Sequence, residues 1–229
     1  MIKIAVFTPV WKRPEMRQAY LQHMAMHVRE ARTHGIDLSV SIAGSEGLET
    51  QREAEEFGFN YIEFPNQPLG AKFNMAMRLG IEKHNPDYVM PVGSDTFFLP
   101  SIWAVYADLI TQGYKYIGTT DLFMWDWDDD YAVYWGGYVG RREGEPIGPL
   151  RAIKTSLLPE DGNLYGVTLS RNLDQSASNQ LPPAKVFSSK KFLLTSCKVD
   201  ENITEISRFN QDELTPVPVV QLASVLRLA

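Results

Sequence analysis

Tyr88-Val-Met-Pro-Val-Gly-Ser-Asp95 is an apolar run that passes straight into a turn ending in a carboxylate. The uncharged stretch 88–92 reads as a strand buried on both faces, as a parallel sheet requires. Gly93 and Ser94 then break the pattern before Asp95. A carboxylate just beyond such a strand can hold Mg²⁺ or Mn²⁺ against phosphate oxygens, because hard oxygen ligands suit those ions and leave coordination positions open. The same aspartate could instead cap the next turn through its side chain, and the residues alone leave both readings open.

Upstream of this stretch, strand and helix signals alternate. Residues 2–8 read as a first buried strand that Pro9 ends. Pro14 and Glu15 suit a helix first turn, and Ala19, Tyr20, His23, Met24, His27 and Ala31 follow at helical spacing until Gly35. A strand is expected at 38–44, a short helix over 49–57 and a strand at 61–64. Phe73, Met77, Gly80 and Ile81 keep one apolar helical face, and Asn85-Pro86 ends it before the strand at 88–92. Downstream, Ser101 is placed to cap a helix carrying Ile102, Val105, Tyr106, Leu109 and Ile110, and 114–123 returns to strand character. The expected fold is therefore α/β, with a mostly parallel sheet flanked by helices.

Between 124 and 180 the alternation breaks down into acidic runs, paired glycines and prolines, a composition of hairpins and binding loops. Strand character resumes at 191–195, a short helix is expected near Asn202–Glu205, and the final apolar stretch from Val217 fits strand, helix or lid equally. The 229 residues fit one large unit with two functional halves, about 1–112 and 113–229.

With 44% apolar and 11% aromatic residues the chain can build a substantial core, and no run reaches the ~18 apolar residues of a membrane span. The start, Met-Ile-Lys-Ile-Ala-Val-Phe, enters strand text without a secretory pattern. The single cysteine, Cys197, cannot form an internal disulfide and reads as a buried small hydrophobe. The expected setting is the cytoplasm, with no membrane insertion. A net charge of −6 argues against whole-surface attraction to nucleic acid.

The order of these features resembles the GT-A glycosyltransferases, especially family 2. The resemblance rests on Thr8-Pro9-Val10 with Arg13, on Gly44-Ser45-Glu46, on Gly70-Ala-Lys72-Phe-Asn74 and on Gly93-Ser94-Asp95, covering about residues 1–110. It implies a GT-A, Rossmann-like sheet with an irregular acceptor-side half. It also implies transfer of a sugar, with inversion, from a nucleoside diphosphate sugar, UDP-sugar foremost, to a hydroxyl acceptor. That acceptor could be a saccharide, a protein or a modified DNA base. By that likeness Thr8, Pro9, Arg13 and Glu46 line the nucleoside site, Lys72, Asn74 and Ser94 approach the donor, and Asp95 binds the cation, Mn²⁺ or Mg²⁺. The chain departs from the family in carrying one carboxylate where Asp-x-Asp is usual.

The residues argue in part for these roles themselves. Lys72 in a helix first turn would add charge where free N–H groups already favour diphosphate, or would be a solvated lysine. Arg13 could fork onto phosphate, or be one of an exposed pair with Lys12. Asp161 and Asp174 are the candidates to take the acceptor proton, Asp174 alternatively being a helix N-cap. Asp126-Trp-Asp128 matches a metal motif literally but reads as a solvated hairpin tip. Around it, Trp125, Trp127, Tyr131, Tyr134 and Trp135 could stack on a sugar or base, or pack in the core. Arg141, Arg142, Arg151 and Lys154 read as a cationic loop and patch. His23 and His27 read as a packed or exposed helical pair. Two other functions stay open: a nucleotidyltransferase, disfavoured by the lack of a glycine-rich loop after the first strand, and a non-catalytic binding module.

Overall fold

Helix α1 (Pro14–Thr33) shows how the local signals act. Pro14 presets the first helical φ, Met16, Tyr20, Met24 and Ala31 form one buried stripe, and Gly35 at φ 74° ends the run. The computed structural model describes residues 1–199 and 205–226. In its first half β1 (Ile2–Pro9), α1, β2 (Ile36–Gly44), α2 (Leu48–Glu56), β3 (Asn60–Glu63), α3 (Leu69–His84) and β4 (Tyr88–Pro91) alternate as the sequence predicts. After β5 (Thr96–Phe97) come α4 (Ile102–Thr111), β6 (Tyr116–Thr119), β7 (Leu122–Asp126), β8 (Tyr131–Trp135), β9 (Ala152–Lys154), α5 (Leu173–Ser178), β10 (Lys185–Phe187), β11 (Thr195–Lys198), β12 (Leu214–Val217) and α6 (Val220–Leu226).

Seven strands form one sheet in the order β10-β6-β9-β4-β1-β2-β3. Strands β3, β2, β1 and β4 are parallel, while β9 runs antiparallel to both β4 and β6. The register pairs Pro9 with Ala43 and Phe7 with Pro91, so the ends of β1, β2 and β4 open on one edge.

The second half departs from expectation in three places. The single strand expected at 114–123 is two strands in different sheets, because the chain turns at Thr120-Asp121, where the Asp121 carboxylate accepts from Ser189 N at 2.6 Å. The strand expected at 191–195 is a 3₁₀ turn, Lys190–Phe192, followed by left-handed Leu193 (φ 49°), and pairing starts only at Thr195. A second sheet, β12-β8-β7-β11-β5, takes only β8 and the end of β7 from the 124–180 region read as hairpins and binding loops, and draws its other strands from before and after it. Its β7–β8 hairpin does put Asp126–Asp130 at a tip, with Asp129 N donating to Asp126 at 3.3 Å. The last stretch is β12 followed by α6, and the short helix expected near Asn202 lies outside the described residues. Ser101 precedes α4 without a side-chain capping bond.

Helices α1 and α4 cover one face of the large sheet, and their buried side chains run on without a break into Phe123, Val133 and Cys197 of the second sheet. Helices α3 and α5 cover the other face through Met77 and Ala177 against Phe7, Val89 and Ile153. Among the aromatics around the hairpin, Trp125 and Trp135 are core, whereas Trp127 and Tyr131 are exposed. No helix among the described residues is long and apolar enough to cross a membrane.

Candidate functional site

In an open α/β sheet, ligands bind beyond the carboxyl ends of the strands where the strand order reverses. Here the chain steps from β1 to β2 and β3 on one side and to β4 on the other, so the crevice lies between the loops that follow β1 and β4. Arg13 in the first of these loops donates through Nη2 to Ser94 Oγ in the second at 3.0 Å, and its Nη1 lies 4.0 Å from Asp95 Oδ2.

The β1 loop is held in an unusual backbone. Lys12 and Arg13 both take left-handed φ of 52°, a conformation that costs a residue with a Cβ roughly 1–3 kcal/mol and concentrates at functional positions. Neighbours overdetermine it. Lys12 N donates to Glu46 Oε2 at 2.9 Å, and Arg17 reaches Lys12 O, Glu46 and Glu53 at 3.3, 3.0 and 2.5 Å. The hydrogen bond to Glu53 is the main reason the Arg17 guanidinium is held above its ordinary pKa. Glu46, expected at the nucleoside, thus spends one oxygen fixing the loop that presents Arg13.

Asp95 faces side-chain cations through Oδ2, while Thr96 Oγ1 at the start of β5 donates to its Oδ1 at 3.4 Å. Strand β11 packs beside it, with Cys197 N donating to Asp95 O at 2.7 Å, and places Lys198 Nζ 3.6 Å from Asp95 Oδ2. Ser196 Oγ lies 3.5 Å from the same oxygen and accepts from Lys198 at 2.7 Å. Arg13, Asp95 and Lys198 are 19%, 20% and 13% exposed, so the cluster is partly desolvated yet open to a ligand. Lys198 had no motif to announce it. A cation three residues into a late strand becomes relevant only once that strand pairs with β5 and β7.

The helix-start motif, Gly70 to Asn74, turns out to bind protein. Both readings of Lys72 assumed an accessible ammonium, and burial corrects them. Its side chain is fully enclosed, and Nζ donates to Val10 O at 2.6 Å, to Asn66 Oδ1 at 3.1 Å and to Ser45 Oγ. Burial pushes this ammonium down to about 8, against the opposing pull of Glu46 and Glu63. Asn74, expected near the donor, is buried and pairs with both Tyr165 N (3.0 Å) and Tyr165 O (2.7 Å). Gly70 is required by close approach, since a Cβ there would lie 2.2 Å from Gly166 O. Thr8 is also inside, its hydroxyl bonded to Tyr20. Pro9 pairs in register with Ala43 at the strand end.

On the β4 side, Leu150 N donates to Pro91 O at 2.9 Å and draws the 146–151 segment against the crevice. Asp174, in the first turn of α5, has its oxygens against Gly148, where a Cβ would come within 2.7 Å. Tyr138 donates to Asp174 Oδ2 at 3.0 Å, and the Arg142 guanidinium stacks 3.5 Å from the Tyr138 ring centre. Tyr138 also lines a surface pocket of about 400 Å³ with Gly136, Gly137, Glu143 and Glu213. Position 172, not 174, is the N-cap of α5. Arg151, expected on a cationic surface, is fully buried and bonds Pro146 O and Ile147 O at 2.6 and 2.7 Å. Asp161 is fully exposed and tied by Asn163 N and Nδ2, both at 2.9 Å, which hold its carboxyl below the usual range. Its segment contacts Arg78 on α3 rather than Arg13 or Asp95.

The family resemblance implies a divalent cation at Asp95, and the donor set does not fit one. Two cationic side chains stand within 4.0 Å of the Asp95 carboxylate, and Gly93-Ser94 stands where the motif's other acid is usual. Among the described residues no group of three His, Cys, Asp or Glu side chains could hold a metal. His23 and His27 are packed in the core.

Solved structures share this fold. The chain superposes on S. aureus TarS 1-349 with a TM-score of 0.60, at 14% identity over 86% of this chain and 60% of that one. The fold is GT-A-like. The TarS 1-349 complex with UDP-GlcNAc gives 0.62 at 14% identity over 92% of this chain and 62% of that one, and the complex with UDP gives 0.59 at 13% over 86% and 61%. This chain therefore spans about three fifths of the length of these structures. No family model and no curated protein matches it.

Proposed function

We propose that this GT-A-like chain transfers a sugar from a nucleoside diphosphate sugar, UDP-sugar foremost, to a hydroxyl acceptor. The observation that carries the proposal is the cationic cluster of Arg13 and Lys198 on either side of Asp95, at the strand-order reversal where such folds bind ligands. Likeness to structures bound to UDP-GlcNAc and UDP supports the choice of donor. Arg13 and Ser94 are assigned to the donor diphosphate, with Asp95 orienting the guanidinium.

Asp174 is assigned as the base. The acceptor oxygen attacks the anomeric carbon as the bond to the diphosphate oxygen breaks, its proton passes to the Asp174 carboxylate, and the nucleoside diphosphate departs with the bonding pair. Attack from the face opposite the leaving group inverts the centre. Tyr138 orients the carboxylate by donating to one of its oxygens, which leaves the other for the proton. The 400 Å³ pocket beside Tyr138 is the proposed acceptor entrance.

The test is calorimetry with UDP together with a hydrolysis screen over UDP-sugars. Wild type is expected to bind UDP and to hydrolyse one donor slowly. Asp174→Asn should lower turnover roughly 10²–10⁴-fold while keeping UDP affinity. Binding of UDP with no donor turnover would make the chain a binding module, and absence of UDP binding would remove the transferase reading.

A further inference from the structure

We infer that Lys198 and Arg13 together occupy the electrostatic role that a divalent cation would fill, so that this site binds the donor diphosphate without metal. The inference rests on the donor-site reading above and concerns how that site handles charge.

The Asp95 carboxylate faces two cationic side chains, Lys198 and Arg13, within 4.0 Å. Asp95 Oδ2, the oxygen a metal would need, has Lys198 Nζ at 3.6 Å, Arg13 Nη1 at 4.0 Å and Ser196 Oγ at 3.5 Å. An incoming dication would have to displace an ammonium and a guanidinium and then sit beside both. Like charges at that range in a partly desolvated cleft repel strongly.

The cations are also built in. Lys198 is fixed by Ser196 at 2.7 Å, and its strand is fixed by the Cys197 N to Asp95 O bond at 2.7 Å. Arg13 is fixed by Ser94 at 3.0 Å and by its left-handed backbone. Ser94 fits the same logic, since a hydroxyl can accept from Arg13 without adding the second negative charge that would call for a metal. Asp95 thereby changes role, from metal ligand to the counter-ion that aligns two phosphate-binding cations.

Titration calorimetry of the full chain with UDP, in EDTA and in MnCl₂, tests this with Lys198→Ala and Lys198→Arg alongside wild type. Wild type should bind UDP in EDTA within about twofold of its affinity in Mn²⁺. Lys198→Ala should weaken UDP roughly 10–100-fold, and Lys198→Arg, which keeps the charge, should retain most of the affinity. UDP binding that appears only with Mn²⁺ would overturn the inference and leave the transferase reading standing. Unchanged affinity in a folded Lys198→Ala would also overturn it, and if that variant fails to fold, the EDTA comparison on wild type decides. Failure to bind UDP in either condition would remove the donor-site reading and the inference with it.

Discussion

Asn74 illustrates how a residue can be legible in type and illegible in role. Its place two residues after Lys72 in a helix first turn marks it as special, but an amide that can serve a ligand can equally serve a backbone. Which it does depends on a loop about ninety residues away. In the fold it mimics a strand partner for Tyr165, donating to its carbonyl and accepting from its N–H, and also donates to Asn163 at 3.2 Å. Lys72 likewise joins the loops after β1 and β2 to Asn66, so the motif is a clamp holding the β1 wall of the crevice. Removing such an amide strands two buried backbone groups. Asn74→Ala should therefore cost roughly 2–4 kcal/mol in urea unfolding. Loss of UDP affinity at undiminished stability would instead return Asn74 to the ligand. Arg13 and Asp95 follow strand ends that a local pattern marks, whereas Lys198 lies in a strand that no local pattern places.

At the level of elements, the docking of α1 on β5 and α4 depends on a buried imidazole pair whose proton positions are dictated by fixed donors. Phe98 N–H donates to His23 Nε2 at 3.1 Å, and the Trp103 indole donates to His27 Nδ1 at 2.9 Å. His27 must then carry its proton on Nε2, within 2.9 Å of His23 Nε2 and 3.2 Å of Phe98 O, and His23 carries its own on Nδ1. Both rings are neutral in this network. Burial pushes His23 down to about 3, and burial followed by repulsion from His23 holds His27 well below its ordinary value.

The unfolded chain takes up those protons near pH 6.5, the folded one far lower. The stability the pair contributes is thus complete above about pH 6.5 and falls as pH drops toward 3, by up to about 1.4 kcal/mol per pH unit for each histidine. Melting between pH 6.5 and 4.5 should show this, and His23→Gln, whose amide oxygen can still accept from Phe98, should flatten the slope by about one proton. An unchanged slope would contradict the assignment. From the sequence this pair, at i, i+4 spacing, read as either packed or exposed, and the fold packs both rings in the core. Beyond the β7–β8 hairpin the elements after β6 gave no such signal, because strands of three or four residues pair across long separations that no local period records.

For the molecule as a whole, the two sheets share one apolar interior, from Ile4 and Val6 in β1 through Trp103 to Val133 and Leu194. Opening either sheet would expose the face that seals the other. The chain should consequently unfold in one calorimetric transition with equal calorimetric and van't Hoff enthalpies, and two resolved transitions would show that the halves fold separately. The parallel half was readable because each βαβ unit repeats one pattern; the second sheet was not, since β11 enters it between β5 and β7 from far along the chain. That insertion has a consequence for translation. The lysine that faces Asp95 is made about a hundred residues after it, roughly 5–20 s later at cellular elongation rates. Until then a nascent chain presents Asp95 with Arg13 alone, so competence to grip a diphosphate should arrive late in synthesis and abruptly, when β11 slides into place.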